Sequence, residues 1–179
     1  MRAWWVLAGV VAAGAAVSAV AGLADDPAAK PKGKIEITVA EKTDALDAAV
    51  KSNKGKVVVI DFWATWCAPC VKKFPHLVEL HQKYADKGLV CVSVSLDDLE
   101  DKGKALDFLK EKGATFPNFL LSVSGKEEDK KLEERYGLRG AIPHMVVFGR
   151  SGEKVWSATG EKTTPKELDE LIEAELAKK

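Results

Sequence analysis

Val57-Val-Val-Ile-Asp-Phe-Trp-Ala-Thr-Trp-Cys-Ala-Pro-Cys70 is the stretch from which the rest of the chain can be read. Its first half, Val57 to Phe62, is almost unbroken apolar sequence, the composition of a strand covered on both faces. After the cysteines come Val71, Phe74, Leu77, Val78, His81 and Ala85, at three- and four-residue spacings that predict a helix with one face on the sheet. Two cysteines separated by two residues therefore stand where a strand passes into a helix. The unpaired amides and positive dipole end of the helix favour a thiolate there. Cys67 is accordingly the candidate attacking thiol, exposed at the helix start. Cys70, one turn further in and more shielded, is the candidate resolving thiol, and the two can close a redox-active disulfide.

Other uses of the pair fit less well. A zinc site would need a second Cys-x-x-Cys or suitably spaced histidines, and His76 and His81 do not complete a usual ligand pattern, so no metal site is expected. As a static staple the pair closes a very small loop, where a cross-link constrains the unfolded chain least. Cys91, inside Val-Cys-Val-Ser-Val, reads as a small core residue.

The run from Val57 to Cys70 closely resembles the thioredoxin superfamily. A further match is Ile142-Pro143 ahead of Met145-Val-Val-Phe148, 73 residues after Cys70, where the superfamily carries a cis proline facing the dithiol. Pro75 within the helix, Ser95-Leu-Asp-Asp98, and an extra segment before Tyr136-Gly137 are more similar to the TlpA/ResA-type extracytoplasmic branch than to plain thioredoxin. The resemblance covers roughly residues 35–178.

It implies an α/β thioredoxin fold: a central mixed sheet with helices on both faces and an inserted segment before the cis-proline strand. It also implies roles for several residues. Asp61 would be a buried acid of raised pKa that accepts and returns the Cys70 proton through a water, although TlpA/ResA-type proteins often lack an acid there. Pro143 would present no N–H beside the sulfurs, and the carbonyl and amide of Ile142 would pair with an extended substrate segment. Trp66 would dock the partner protein, with Trp63 packed inside. His144 departs from the small residue or threonine common at its position. It reads as a polar strand residue or as a tuner of substrate choice.

The activity implied is that of an exported thiol-disulfide oxidoreductase without a bound cofactor. Its expected partners are protein thiols and disulfides and a membrane electron donor, and the expected direction is reduction, as in cytochrome c maturation. A disulfide-forming oxidant of the same fold is the alternative. A cysteine-based metal chaperone or redox-sensing module is another, although the copper-chaperone pattern would want three residues between the cysteines.

Composition agrees with one domain: 179 residues, 46% hydrophobic. Basic and acidic residues number 27 each and the basic ones are scattered, which excludes an electrostatic footprint for nucleic acid. Met1-Arg2 leads an uncharged, alanine- and valine-rich run from Ala3 to Ala24. Residues 1–24 read as an export signal, cut after Ala21 or Ala24, or as an uncleaved membrane anchor. Either places the folded part outside the cytoplasm, in the periplasm or facing it. Residues 25–34, with Pro27 and Pro31, read as a flexible linker, and residues 35–179 as the thioredoxin-like domain. Further strands are expected at Ile35–Val39, Leu89–Leu96, Met145–Phe148 and Lys154–Ala158. The last two are joined through Gly149-Arg-Ser-Gly152, and Pro165 opens a closing helix.

Overall fold

The computed structural model describes residues 33–160 and 164–178. The expected leader, residues 1–24, and all but the last two positions of the expected linker lie outside the described residues. Among the described residues no helix is long and apolar enough to cross a membrane.

The sheet is organised around β2 (Val57–Trp63), every residue of which is buried. β3 (Leu89–Ser95) runs parallel on one side with Asp61 level with Ser93, and β5 (His144–Phe148) runs antiparallel on the other with Asp61 level with Met145. β4 (Asn118–Leu121) and β1 (Thr38–Ala40) extend the parallel half, and β6 (Lys154–Thr159) closes the antiparallel edge. The strand order is β1-β4-β3-β2-β5-β6.

Alternation along β2 splits the core. Val57, Val59 and Trp63 join a cluster with Phe74, Leu77 and Leu80 of α2 (Ala68–Tyr84), Leu109 of α3 (Lys102–Lys112) and Ile172 of α5 (Pro165–Ala177). Val58, Ile60 and Phe62 join the other, with Leu46 and Val50 of α1 (Asp44–Ser52) and Tyr136 beyond α4 (Lys126–Lys131). This is the expected sheet with helices on both faces, and α4 with the π turn Leu132–Tyr136 fills the inserted segment. Asp61 falls on the α2 and α5 face, between Val59 and Trp63.

Two local expectations shift. The first strand is Thr38–Ala40 rather than Ile35–Val39, because the short β4 offers partners only to those three residues, while Ile35 and Ile37 pack against the core instead. The charged segment before Tyr136, which reads as a solvated helix face, also clamps α1. Glu128 accepts from the Thr43 N–H at 2.8 Å and from its hydroxyl, which holds its carboxyl down at about 2. Arg135 and the Tyr136 hydroxyl both reach Asp47, at 3.3 and 2.8 Å.

Candidate active site

Cys67 is the N-cap of α2, with extended backbone angles, and its carbonyl accepts the first helical bond from the Val71 N–H at 3.0 Å. Pro69 occupies the first turn, where a missing N–H costs the helix nothing. Cys67 and Cys70 form a disulfide with Cα atoms 5.2 Å apart. Cys67 is 6% exposed and Cys70 1%. The expected order of shielding holds, but the expectation that Cys67 is exposed does not: with its sulfur tied to Cys70 it belongs to the cluster of Trp63, Ala64 and Phe74. α2 continues through Pro75, which faces solvent, so the proline removes one donor without ending the helix.

The turn between β2 and α2 is held by a residue that the sequence did not single out. Asp97, 2% exposed, accepts from the Thr65 N–H at 3.1 Å on each carboxylate oxygen, from the Thr65 hydroxyl at 2.5 Å and from the Ser95 hydroxyl at 2.7 Å. The signal was present, since Asp97 lies in the quoted Ser95–Asp98 turn. Only the β2–β3 register, which brings Trp63 level with Ser95, places it beside Thr65. Below the turn Trp63 is fully buried, its ring centroid 4.9 Å from Phe74 and 4.7 Å from Phe108. Trp66 stands 66% exposed beside Cys67.

Asp61 is 4% exposed, and burial pushes its carboxyl up to about 7 against the opposing pull of the Lys73 ammonium. It lines a cavity of about 350 Å³ with Lys73, His76, Leu77, Pro143 and Trp156. The Ile142-Pro143 peptide bond is cis, as the resemblance implies. Continuing the β2–β5 register by one residue brings Pro143 level with Trp63, four residues before Cys67. The Pro143 carbonyl accepts from the Gly160 N–H at 2.7 Å, whereas the Ile142 backbone has no hydrogen-bond partner among the described residues.

His144 follows directly and is buried. Its Nε2–H donates to the Tyr136 carbonyl at 2.9 Å, which leaves Nδ1 to accept from the Thr159 hydroxyl at 2.7 Å. Burial holds the imidazole below its ordinary pKa. The ring thus ties the start of β5 to the π turn and to β6, the structural one of the two expected roles. His76 on α2 is largely shielded from solvent. α5 packs back over it and brings Asp169 to within 3.1 Å of Nε2.

Cys91 is fully buried, and burial pushes its thiol well above the ordinary range. Among the described residues, no group of three or more histidine, cysteine or acidic side chains could hold a metal ion.

A thioredoxin-like family model matches residues 55–154. A protein of Bacillus thuringiensis (strain Al Hakam) named thiol-disulfide oxidoreductase ResA is 32% identical over 114 residues, 64% of this chain and 61% of that protein. Its namesake from Bacillus subtilis (strain 168) is 29% identical over 125 residues, 70% of this chain and 65% of that one. The chain thus spans less than two thirds of the length of these relatives. Among solved structures, a DsbF homologue from Corynebacterium diphtheriae superposes with a TM-score of 0.59 at 25% identity, covering 70% of this chain and 75% of the other. A thiol:disulfide interchange protein from Bacteroides sp. does so with a TM-score of 0.53 at 27% identity, covering 69% and 74%.

Proposed function

Because this chain belongs to the thioredoxin-like family, we propose that it is a thiol-disulfide oxidoreductase that cycles Cys67 and Cys70 between dithiol and disulfide and reduces protein disulfides outside the cytoplasm. The observation that carries the reading is the disulfide at the N-terminus of α2, together with a buried carboxyl of raised pKa, Asp61, on the face of β2 that α2 covers.

In the reduced protein the Cys67 thiolate attacks one sulfur of a substrate disulfide. A Cys67–substrate bond forms and the other substrate sulfur leaves as a thiolate. Asp61, as carboxylate, takes the proton of the Cys70 thiol, directly or through a water. The Cys70 thiolate then attacks the Cys67 sulfur, closes the disulfide and expels the second substrate thiolate, to which the proton on Asp61 is returned. Two electrons pass from the dithiol to the substrate, and a membrane-bound dithiol reductant restores the starting state. Trp66 offers an exposed aromatic surface to the partner, and the Ile142 backbone offers a donor and an acceptor to an extended segment beside the sulfurs.

The extracytoplasmic setting rests on the leader-like residues 1–24, as cleaved signal or anchor. Cysteine pairs awaiting reduction, such as those of an unfinished c-type cytochrome, are substrates of the right chemistry.

Trapping tests the reading. Cys70→Ser should accumulate a mixed disulfide through Cys67 with a disulfide-bonded model protein, and Cys67→Ser should neither trap nor exchange. A Cys67→Ser protein that exchanges disulfides at the unaltered rate contradicts it.

A further inference from the structure

Lys73 stands three residues after Cys70 on α2 and lines the cavity that holds Asp61 and Pro143. Its ammonium is not free to wander: Nζ donates to the Gly160 carbonyl at 3.0 Å. Gly160 in turn donates its N–H to the Pro143 carbonyl at 2.7 Å. The glycine adopts a φ of 82°, a left-handed conformation that suits a residue without Cβ. One residue at the end of β6 thus grips the cis-proline strand with its N–H and the dithiol helix with its carbonyl. A long cationic side chain, which costs rotamer entropy to fix, is held over the apolar wall formed by Leu77 and Trp156.

Among the described residues, the charged and titratable groups around Asp61 are few. From α2 come Lys73, His76 and, at the cavity's exposed rim, Lys72. From β3 comes the Cys91 thiol, which the Asp61 charge pushes further up. From α5, Asp169 comes to His76, within 3.1 Å, and to Lys83, and is not among the residues that line the cavity. Lys73 is the group that opposes burial and favours the charged form of Asp61.

We propose that Lys73 is a positioning residue: a cation tethered through Gly160 that keeps Asp61 available as a carboxylate to take the Cys70 proton. This rests on the reading of Asp61 as proton acceptor. The same tether makes proton transfer sensitive to the seating of the cis-proline strand, because Lys73 and Pro143 share Gly160 as partner.

The test reads the carboxyl itself. In full-length oxidised protein labelled with 13C at the aspartate carboxyl, the Asp61 resonance is the one missing from Asp61→Asn. Lys73→Met should raise its titration midpoint by about one pH unit, Lys73→Arg should restore it, and removal of an equal charge at exposed Lys110 (Lys110→Met) should leave it in place. A rise from 7 to 8 cuts the carboxylate fraction at pH 7 from one half to one tenth. Resolution of a Cys67-linked mixed disulfide at pH 7 should then slow about fivefold in Lys73→Met and recover at pH 9. Should Lys73→Met fail to fold, Lys73→Gln gives the same readout. An Asp61 midpoint unmoved in the folded charge-removing variant overturns the proposal. So does a resolution rate that is slowed equally at every pH. If the midpoint moves while the wild type exchanges no disulfides, the oxidoreductase reading fails and the electrostatic assignment stands.

Discussion

Thr65 and Asp97 are joined by three hydrogen bonds, from the Thr65 N–H to both carboxylate oxygens and from its hydroxyl to one of them. The dithiol turn is thereby anchored to the end of β3, and the start of α2 inherits its position from a neighbouring strand.

Asp97→Ala should therefore cost more than a surface substitution. It strips partners from the Thr65 amide and hydroxyl and from the buried Ser95 hydroxyl, and a lost buried partner costs about 1–3 kcal/mol each with incomplete additivity. We expect a loss of about 2–4 kcal/mol in urea unfolding and slower disulfide exchange by the surviving folded protein. A change below about 0.5 kcal/mol, the usual range for surface positions, would show that the turn holds itself.

Asp61 makes the pH dependence of stability run against the usual carboxylate pattern. Its proton is held more tightly in the folded state, about 7 against 3.8. Its contribution is therefore full below pH 3.8, fades as pH rises to about 7 and is constant above. At about 1.4 kcal/mol per pH unit the difference is on the order of 4 kcal/mol. Asp61→Asn should be less pH-sensitive than wild type between pH 4 and 7 and more stable than wild type at pH 8. Unfolding curves across that range check this, and parallel profiles for the two proteins would contradict it.

The sequence carried the outline well because its signals were local. A buried strand and a Cys-x-x-Cys at a helix start announce themselves within a few residues, and β2 and α2 followed, while the cis bond at Pro143 came from the family resemblance. What escaped depended on register and on long side chains. Asp97 reaches Thr65 because β3 lies level with β2, Lys73 reaches Gly160 across 87 positions, and His76 is covered because α5 returns over α2. The covering of Cys67 was hidden for a related reason: helix-start position indicates the electrostatics of a thiol, whereas exposure depends on what packs around it.

Trp66 gives the clearest separation of binding from folding. Its indole is 66% exposed, so Trp66→Ala removes little buried area and should leave stability within about 0.5 kcal/mol. With a protein disulfide substrate we expect KM to rise severalfold, kcat to stay near wild type, and reduction of a small aromatic disulfide to change little. Equal losses on both substrates would place Trp66 in turn architecture instead of docking.

The most direct measurement is the equilibrium reduction potential of the full-length protein against dithiothreitol and glutathione series, read by alkylation of thiols. The account predicts one reversible two-electron couple, abolished in both Cys67→Ser and Cys70→Ser and independent of buried Cys91, with a potential near or below about −250 mV. A value near −120 mV would make the protein an oxidant that forms disulfides, and the absence of any reversible couple would contradict oxidoreductase chemistry at this site.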